Sequence, residues 1–288
     1  MPARAVTSAL PKLGIIAGGG DLPPTLAQHC RDTGRDYHVF RLRGFADQPL
    51  TTFPGDIVGI AEVGHLISLL KATGCRRLCF AGYVKRPDLS ALKPDFKGLT
   101  IFPGAIAAAR HGDDALMRYM MSVFEAEGFG IEGAEEVRGD LKLGLGPLGA
   151  VRPDANHERD IEKAVTIARA IGALDIGQGA IVVDGLVLAV EAQEGTDAML
   201  ERCAALPADV RGTVTARRGV LAKCAKPIQE LRIDLPTIGV ATVERAAAAG
   251  LAGIVGEVGR MLVMDRPQTL EAADRLGVFI VGVAPPHS

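Results

Sequence analysis

The sequence predicts an α/β protein of two domains with a parallel sheet in its first half. Three observations carry this. Strand-like apolar runs alternate with helical periodicity from Lys12 onward. The 288 residues suit two domains of ordinary size. Between Lys142 and Asn156, Gly and Pro interrupt every periodic pattern, which marks a linker. The expected boundaries are 1–143 for the first domain, 144–155 for the linker and 156–288 for the second domain.

Taken in order, Lys12–Ala17 reads as a strand, and Gly18-Gly19-Gly20-Asp21 as a turn. Pro23 and Pro24 suit the first turn of a helix that runs from Leu22 to Thr33 and ends at Gly34. Tyr37–Leu42 and Asp56–Ile60 are further strands. Apolar residues at 63, 66, 67, 69 and 70 define a helix over 62–73, and Arg77–Ala81 is the next strand. Asp113–Glu127 is an amphipathic helix, followed by a strand from Phe129. In the second half, Asn156 caps a helix over 157–171. Two apolar runs flank Asp184-Gly185, a type I′ hairpin dipeptide. A helix over 196–206, a strand over 219–223 and an α/β alternation to Val283 complete the chain.

Composition excludes several classes. Hydrophobic residues make up 48% and charged residues 23%, as in a globular chain. The net charge of −2 and the 4% of aromatic residues argue against a nucleic-acid binder. Five cysteines without paired spacing do not make a disulfide framework, so the expected compartment is the cytoplasm. No apolar run is long enough to span a bilayer.

Five segments could carry chemistry. The glycine turn with Asp21 could present backbone amides to a phosphate, although its spacing is not G-x-G-x-x-G and Leu42-Arg43 stand where a ribose-binding carboxylate would end the second strand. A nicotinamide enzyme is therefore poorly supported. Gly82-Tyr-Val-Lys85-Arg86-Pro87 places two cations at a carboxyl edge, a phosphate site or a solvated loop. Gly112-Asp113-Asp114 opens a helix, with one Asp as its cap. Glu191-Ala-Gln-Glu194-Gly-Thr196-Asp197 gathers hard oxygen donors suited to Mg²⁺ or Mn²⁺; alternatively Thr196 caps a helix. Gly219 to Gly239 contains Lys223, Lys226, Gln229, Glu230, Arg232 and Asp234, and alternation puts Glu230, Arg232 and Asp234 on one side of an extended segment.

These segments resemble the LpxI family in order and over nearly the whole chain, Lys12 to Val283. The carriers are Leu13-Gly-Ile-Ile-Ala-Gly-Gly-Gly20 with Leu22-Pro23, Gly82-Tyr-Val-Lys85-Arg86-Pro87, Gly112-Asp113-Asp114, Leu188–Asp197, and Lys226-Pro227 through Asp234-Leu-Pro236-Thr-Ile-Gly239. Glu230 departs from the pattern, which has Asp after the Gln. The resemblance implies a Rossmann-like N-terminal domain and a C-terminal catalytic domain with the lipid substrate between them. It implies a divalent metal, Mg²⁺ or Mn²⁺, and hydrolysis of UDP-2,3-diacylglucosamine to 2,3-diacylglucosamine 1-phosphate (lipid X) and UMP, with water attacking the phosphorus nearer the sugar.

On that reading Lys223, Lys226 and Arg232 neutralise charge, and Asp234, Glu230, Glu191 and Asp197 hold metal or activate water. Gly19, Gly20, Asp21, Gly82, Lys85, Arg86, Gln229 and Thr196 contact substrate. Peripheral contact with the inner membrane and a homodimer are compatible with such a substrate. The alternatives are a non-catalytic lipid-nucleotide binder and a nucleotide-dependent oxidoreductase.

Overall fold

The computed structural model describes residues 10–46, 48–84, 92–227, 230, 232 and 235–285. The chain divides into two compact units, Met1–Arg138 and Gly139–Ser288.

The first unit is a five-stranded, all-parallel sheet in the order β3-β2-β1-β4-β5. Its elements are β1 (Leu13–Ala17), α1 (Leu22–Thr33), β2 (Tyr37–Leu42), β3 (Gly55–Val58), α2 (Val63–Ala72), β4 (Arg77–Ala81), α3 (Phe96–Ala109), α4 (Asp113–Ala126), β5 (Gly130–Ile131) and α5 (Ala134–Val137). All of β1 is buried because it lies between β2 and β4. Gly34 ends α1 with φ 70°, a conformation glycine adopts without penalty. Sequence periodicity does not reveal α3, which carries Gly98, Pro103 and Gly104 within it. Its start is fixed instead by Asp95, whose carboxylate accepts the Gly98 amide at 2.7 Å.

The second unit has a six-stranded sheet in the order β6-β13-β11-β9-β7-β8. Its elements are β6 (Gly146–Leu148), α6 (Ala155–Ala173), β7 (Gly179–Val183), β8 (Leu186–Val190), α7 (Gly195–Ala204), β9 (Val220–Lys223), β10 (Thr237–Ile238), α8 (Val240–Ala248), β11 (Gly253–Glu257), β12 (Leu262–Val263), α9 (Arg266–Leu276) and β13 (Phe279–Val283). Strands β9, β11 and β13 are parallel, while β6 and β7 run against them. One apolar face includes Ile181, Leu221, Ile254, Ala246 and Ala272; the other packs Ala180, Ala222 and Val255 against Ala164 and Ala168 of α6. The β7–β8 turn is the expected hairpin, with φ 50° at Asp184 and 77° at Gly185.

Three expectations change. The stretch read as a linker, 144–155, is largely part of the second unit. Gly146–Leu148 pairs with β13, and the Ala150 amide donates to Asp274 at 2.6 Å. Helix α6 is capped by Asp154, which accepts the Asn156 amide at 2.9 Å, and not by Asn156 itself. Gly112 rather than an Asp occupies the N-cap of α4; Asp114 lies in the first turn and pairs with Arg118 at 2.6 Å. All five cysteines are buried and free, and burial pushes the Cys224 thiol up to about 12, so none is poised as a nucleophile.

Candidate active site at the carboxyl edge of the second sheet

Burying an ionisable side chain is costly, so a row of them at one edge calls for an explanation. Among the described residues of the second unit, the buried charged groups are Asp160, Glu191, Lys223 and Glu257. Asp160 is structural: its carboxylate accepts the Asp184 and Gly185 amides at 2.8 and 2.6 Å and so fixes the hairpin turn. The other three lie at one edge of the sheet, on β11, on its neighbour β9 and just past β8, with β7 between β9 and β8. Lys223 closes β9, Glu257 closes β11, and Glu191 follows β8.

Register orders this edge. The Glu191 amide donates to Gly179 O at 2.8 Å, Gly179 is the partner of Lys223, and Lys223 is the partner of Gly256. Glu191 and Lys223 each stand two residues past a core residue, Ala189 and Leu221, so both side chains lie on the face shared with α7 and α8. Two strand spacings put their backbones about 10 Å apart. Glycine leaves room for this carboxylate: a Cβ on Gly179 would lie 2.5 Å from Glu191 Oε2 and push it aside.

The Glu191 carboxylate is half committed. Its Oε1 accepts from Thr196 Oγ1 at 2.9 Å, whereas Oε2 is buried without a hydrogen-bond partner among the described residues. Thr196 thus sits inside α7 and orients Glu191; the cap position of that helix is Glu194. The Lys223 ammonium donates to Thr237 O at 3.0 Å. On the opposite face Glu257 accepts from Arg169 Nε of α6 at 2.7 Å, and its Oε2 is also buried without a partner among the described residues.

Other expected site residues fall elsewhere. Asp197 pairs with Arg245 of α8 at 3.4 Å. Lys226 donates to Asp175, just past α6, at 2.7 Å. Arg232 grips Glu230 through Nε at 2.9 Å and Nη2 at 3.0 Å. Lys85, Arg86, Gln229 and Asp234 lie outside the described residues. Among the described residues no group of three His, Cys, Asp or Glu side chains converges as a metal centre.

The glycine turn of the first unit is explained by close backbone approach. The Gly18 amide donates to Ala81 O at 2.8 Å and the Gly19 amide to Tyr83 O at 2.9 Å, so neither is open to a phosphate. A Cβ on Gly19 would meet the Tyr83 ring at 2.8 Å, and one on Gly82 would meet Gly19 O at 2.3 Å. Pro23 and Pro24 bring no N–H to the start of α1, and exposed Asp21 adds negative charge there. The cation within β2 is structural too: Arg41 donates to the carbonyls of Leu50, Phe53 and Gly55.

Sequence reasoning missed Glu257 and Arg169. The signal was available, since Glu257 ends the apolar run of β11 as Glu191 ends that of β8.

A two-unit α/β protein with buried acid and base at the carboxyl edge of its second sheet has the makings of a hydrolytic enzyme. The LpxI N-terminal domain matches residues 12–141 and the LpxI C-terminal domain residues 144–281. The chain belongs to the LpxI family. It is 61% identical over 274 residues to UDP-2,3-diacylglucosamine pyrophosphatase LpxI of Caulobacter vibrioides, covering 95% of this chain and 98% of that protein. CobK precorrin-6A reductase aligns with 97% of this chain and 91% of its own at 14% identity, but its TM-score of 0.32 is too low to bear on fold or function.

Proposed function

We infer that the chain hydrolyses the pyrophosphate of UDP-2,3-diacylglucosamine, releasing UMP and 2,3-diacylglucosamine 1-phosphate. The observation that carries this is the 61% identity, over nearly the full length of both chains, to a pyrophosphatase of that name. The edge of the second sheet suits the reaction. A pyrophosphate repels an incoming nucleophile, and a fixed cation offsets that charge as it moves onto the leaving phosphate. Lys223, held by Thr237 O, is such a cation. Glu191 Oε2 is a buried acceptor able to orient a water or take its proton.

A divalent cation also fits Glu191. A buried carboxylate oxygen without a partner is a hard donor, and Mg²⁺ usually completes its shell with water and substrate phosphate. Asp197, exposed and paired with Arg245, is the weaker candidate ligand. When bound, the ion would supply Lewis-acid stabilisation of phosphoryl charge. Lys226 is ion-paired with Asp175, and Arg232 with Glu230.

The test is UMP release from UDP-2,3-diacylglucosamine by the purified chain, with Mg²⁺ or Mn²⁺ and then with a chelator. Turnover lost on chelation and restored by metal supports both parts of the proposal. Tight binding of the substrate without any UMP would make the protein a lipid-nucleotide carrier.

A further inference from the structure

We propose that Arg169, locked by Glu257, is a phosphate-binding residue of the same site. The proposal rests on the pyrophosphatase reading. The guanidinium of Arg169 is pinned at two corners: Nε donates to Glu257 Oε1 at 2.7 Å and Nη2 to Ala284 O at 3.2 Å. The remaining nitrogen, Nη1, has no hydrogen-bond partner among the described residues and stays in contact with solvent on a side chain that is 32% exposed. Arg169 therefore presents one donor edge at the carboxyl end of β11 and β13, with its rotamer entropy already spent on protein contacts.

A structural role alone does not account for the other half of the pair. Glu257 is 1% exposed and keeps Oε2 buried and unpaired, a costly arrangement if its task were only to tie α6 to the sheet. A neutral pair of similar volume would join the elements more cheaply. What the carboxylate adds is a fixed orientation for the arginine, whose fork matches phosphate oxygens. Helix α6 delivers Arg169 to the same sheet edge as Lys223 and Glu191, but from the opposite face. Either phosphate of the substrate, uridylyl or sugar-linked, presents the chemistry recognised.

The experiment measures KM and kcat for UDP-2,3-diacylglucosamine, and the affinities of UMP and glucosamine 1-phosphate by calorimetry, in wild type, Arg169→Lys, Arg169→Ala and Glu257→Gln. Wild-type turnover tests the pyrophosphatase reading by itself. Arg169→Ala should weaken one of the two phosphate ligands about 10- to 100-fold and raise KM in parallel. The ligand affected identifies which phosphate is bound. Arg169→Lys should fall between, because it keeps charge and stem but loses the fork, and Glu257→Gln should shift the same ligand by a smaller factor. Arg275→Ala, on the exposed side of α9, serves as the control. The proposal is overturned if Arg169→Lys and Arg169→Ala bind both ligands and substrate within twofold of wild type, or if they lose activity only in proportion to a loss of folded protein seen in thermal melts.

Discussion

Thr196 Oγ1 donates a hydrogen bond to Glu191 Oε1 at 2.9 Å, and the second carboxylate oxygen is left buried without a partner among the described residues. The hydroxyl fixes the rotamer while keeping half of the carboxylate available. Glu191→Gln should therefore fold normally and lose ~10²–10⁴ in kcat. Thr196→Val should cost less, about tenfold, because the carboxylate remains and only its orientation loosens. Steady-state rates alongside melting temperatures check both, and a normal kcat for Glu191→Gln would remove this carboxylate from the chemistry.

Lys223 separates catalytic from structural need. Its side chain is buried and its ammonium donates to Thr237 O, so methionine keeps most of the volume but leaves that carbonyl without its donor. Lys223→Met should lower kcat/KM by about 10²–10³, with a loss of stability of only about 1–3 kcal/mol. Reduced stability with full activity would assign Lys223 to the fold instead.

Asp160 should behave in the opposite way. Two amides of the β7–β8 turn depend on its carboxylate, and truncation leaves them buried without acceptors. Asp160→Ala should destabilise the protein by about 2–3 kcal/mol in denaturant titrations. The fraction still folded should turn over substrate at the normal rate.

Acid stability should depend on Glu132. Burial by itself raises its pKa, but hydrogen bonds from Arg35, at 2.9 and 3.0 Å, and from Arg77, at 2.7 Å, with the charges of both, outweigh burial and hold the carboxyl below its ordinary value. A depressed folded value means that its stabilisation is complete above the unfolded pKa, near 4.3, and is lost as pH falls through the folded value. Glu132→Gln should cost about 3 kcal/mol at neutral pH and flatten the acid limb of the stability profile. An unchanged acid limb would mean that another carboxylate sets it.

Much of the architecture was legible because it follows from local chemistry. Helix α1 begins and ends where Pro23, Pro24 and Gly34 demand, and the Asp184-Gly185 hairpin forms because its two residues tolerate positive φ. What escaped depends on tertiary partners. Helix α3 is started by Asp95 and persists through Pro103, and β6 is a strand only because β13 offers it an edge. The site divides in the same manner. Glu191, Thr196 and Lys223 stand out as polar residues ending or following apolar strands, and the structure places Glu191 and Lys223 on one face of one edge. The glycines of the first turn looked like a phosphate cradle, since sequence does not show that Tyr83 would take the Gly19 amide. Glu257 and Arg169, 88 residues apart, become a pair only through the packing of α6 on the sheet.

If this chain cleaves a phosphoanhydride with water, an oxygen atom of that water must end up in one of the two products. Purified protein turning over UDP-2,3-diacylglucosamine in ¹⁸O-water should release one UMP for each 2,3-diacylglucosamine 1-phosphate. One ¹⁸O should appear in the sugar phosphate, as attack at the phosphorus nearer the glucosamine requires. Label in UMP would move the attack to the other phosphorus and with it the placement of Lys223 beside the leaving group. Substrate recovered intact and unlabelled from an active-site-saturating incubation would contradict the account altogether.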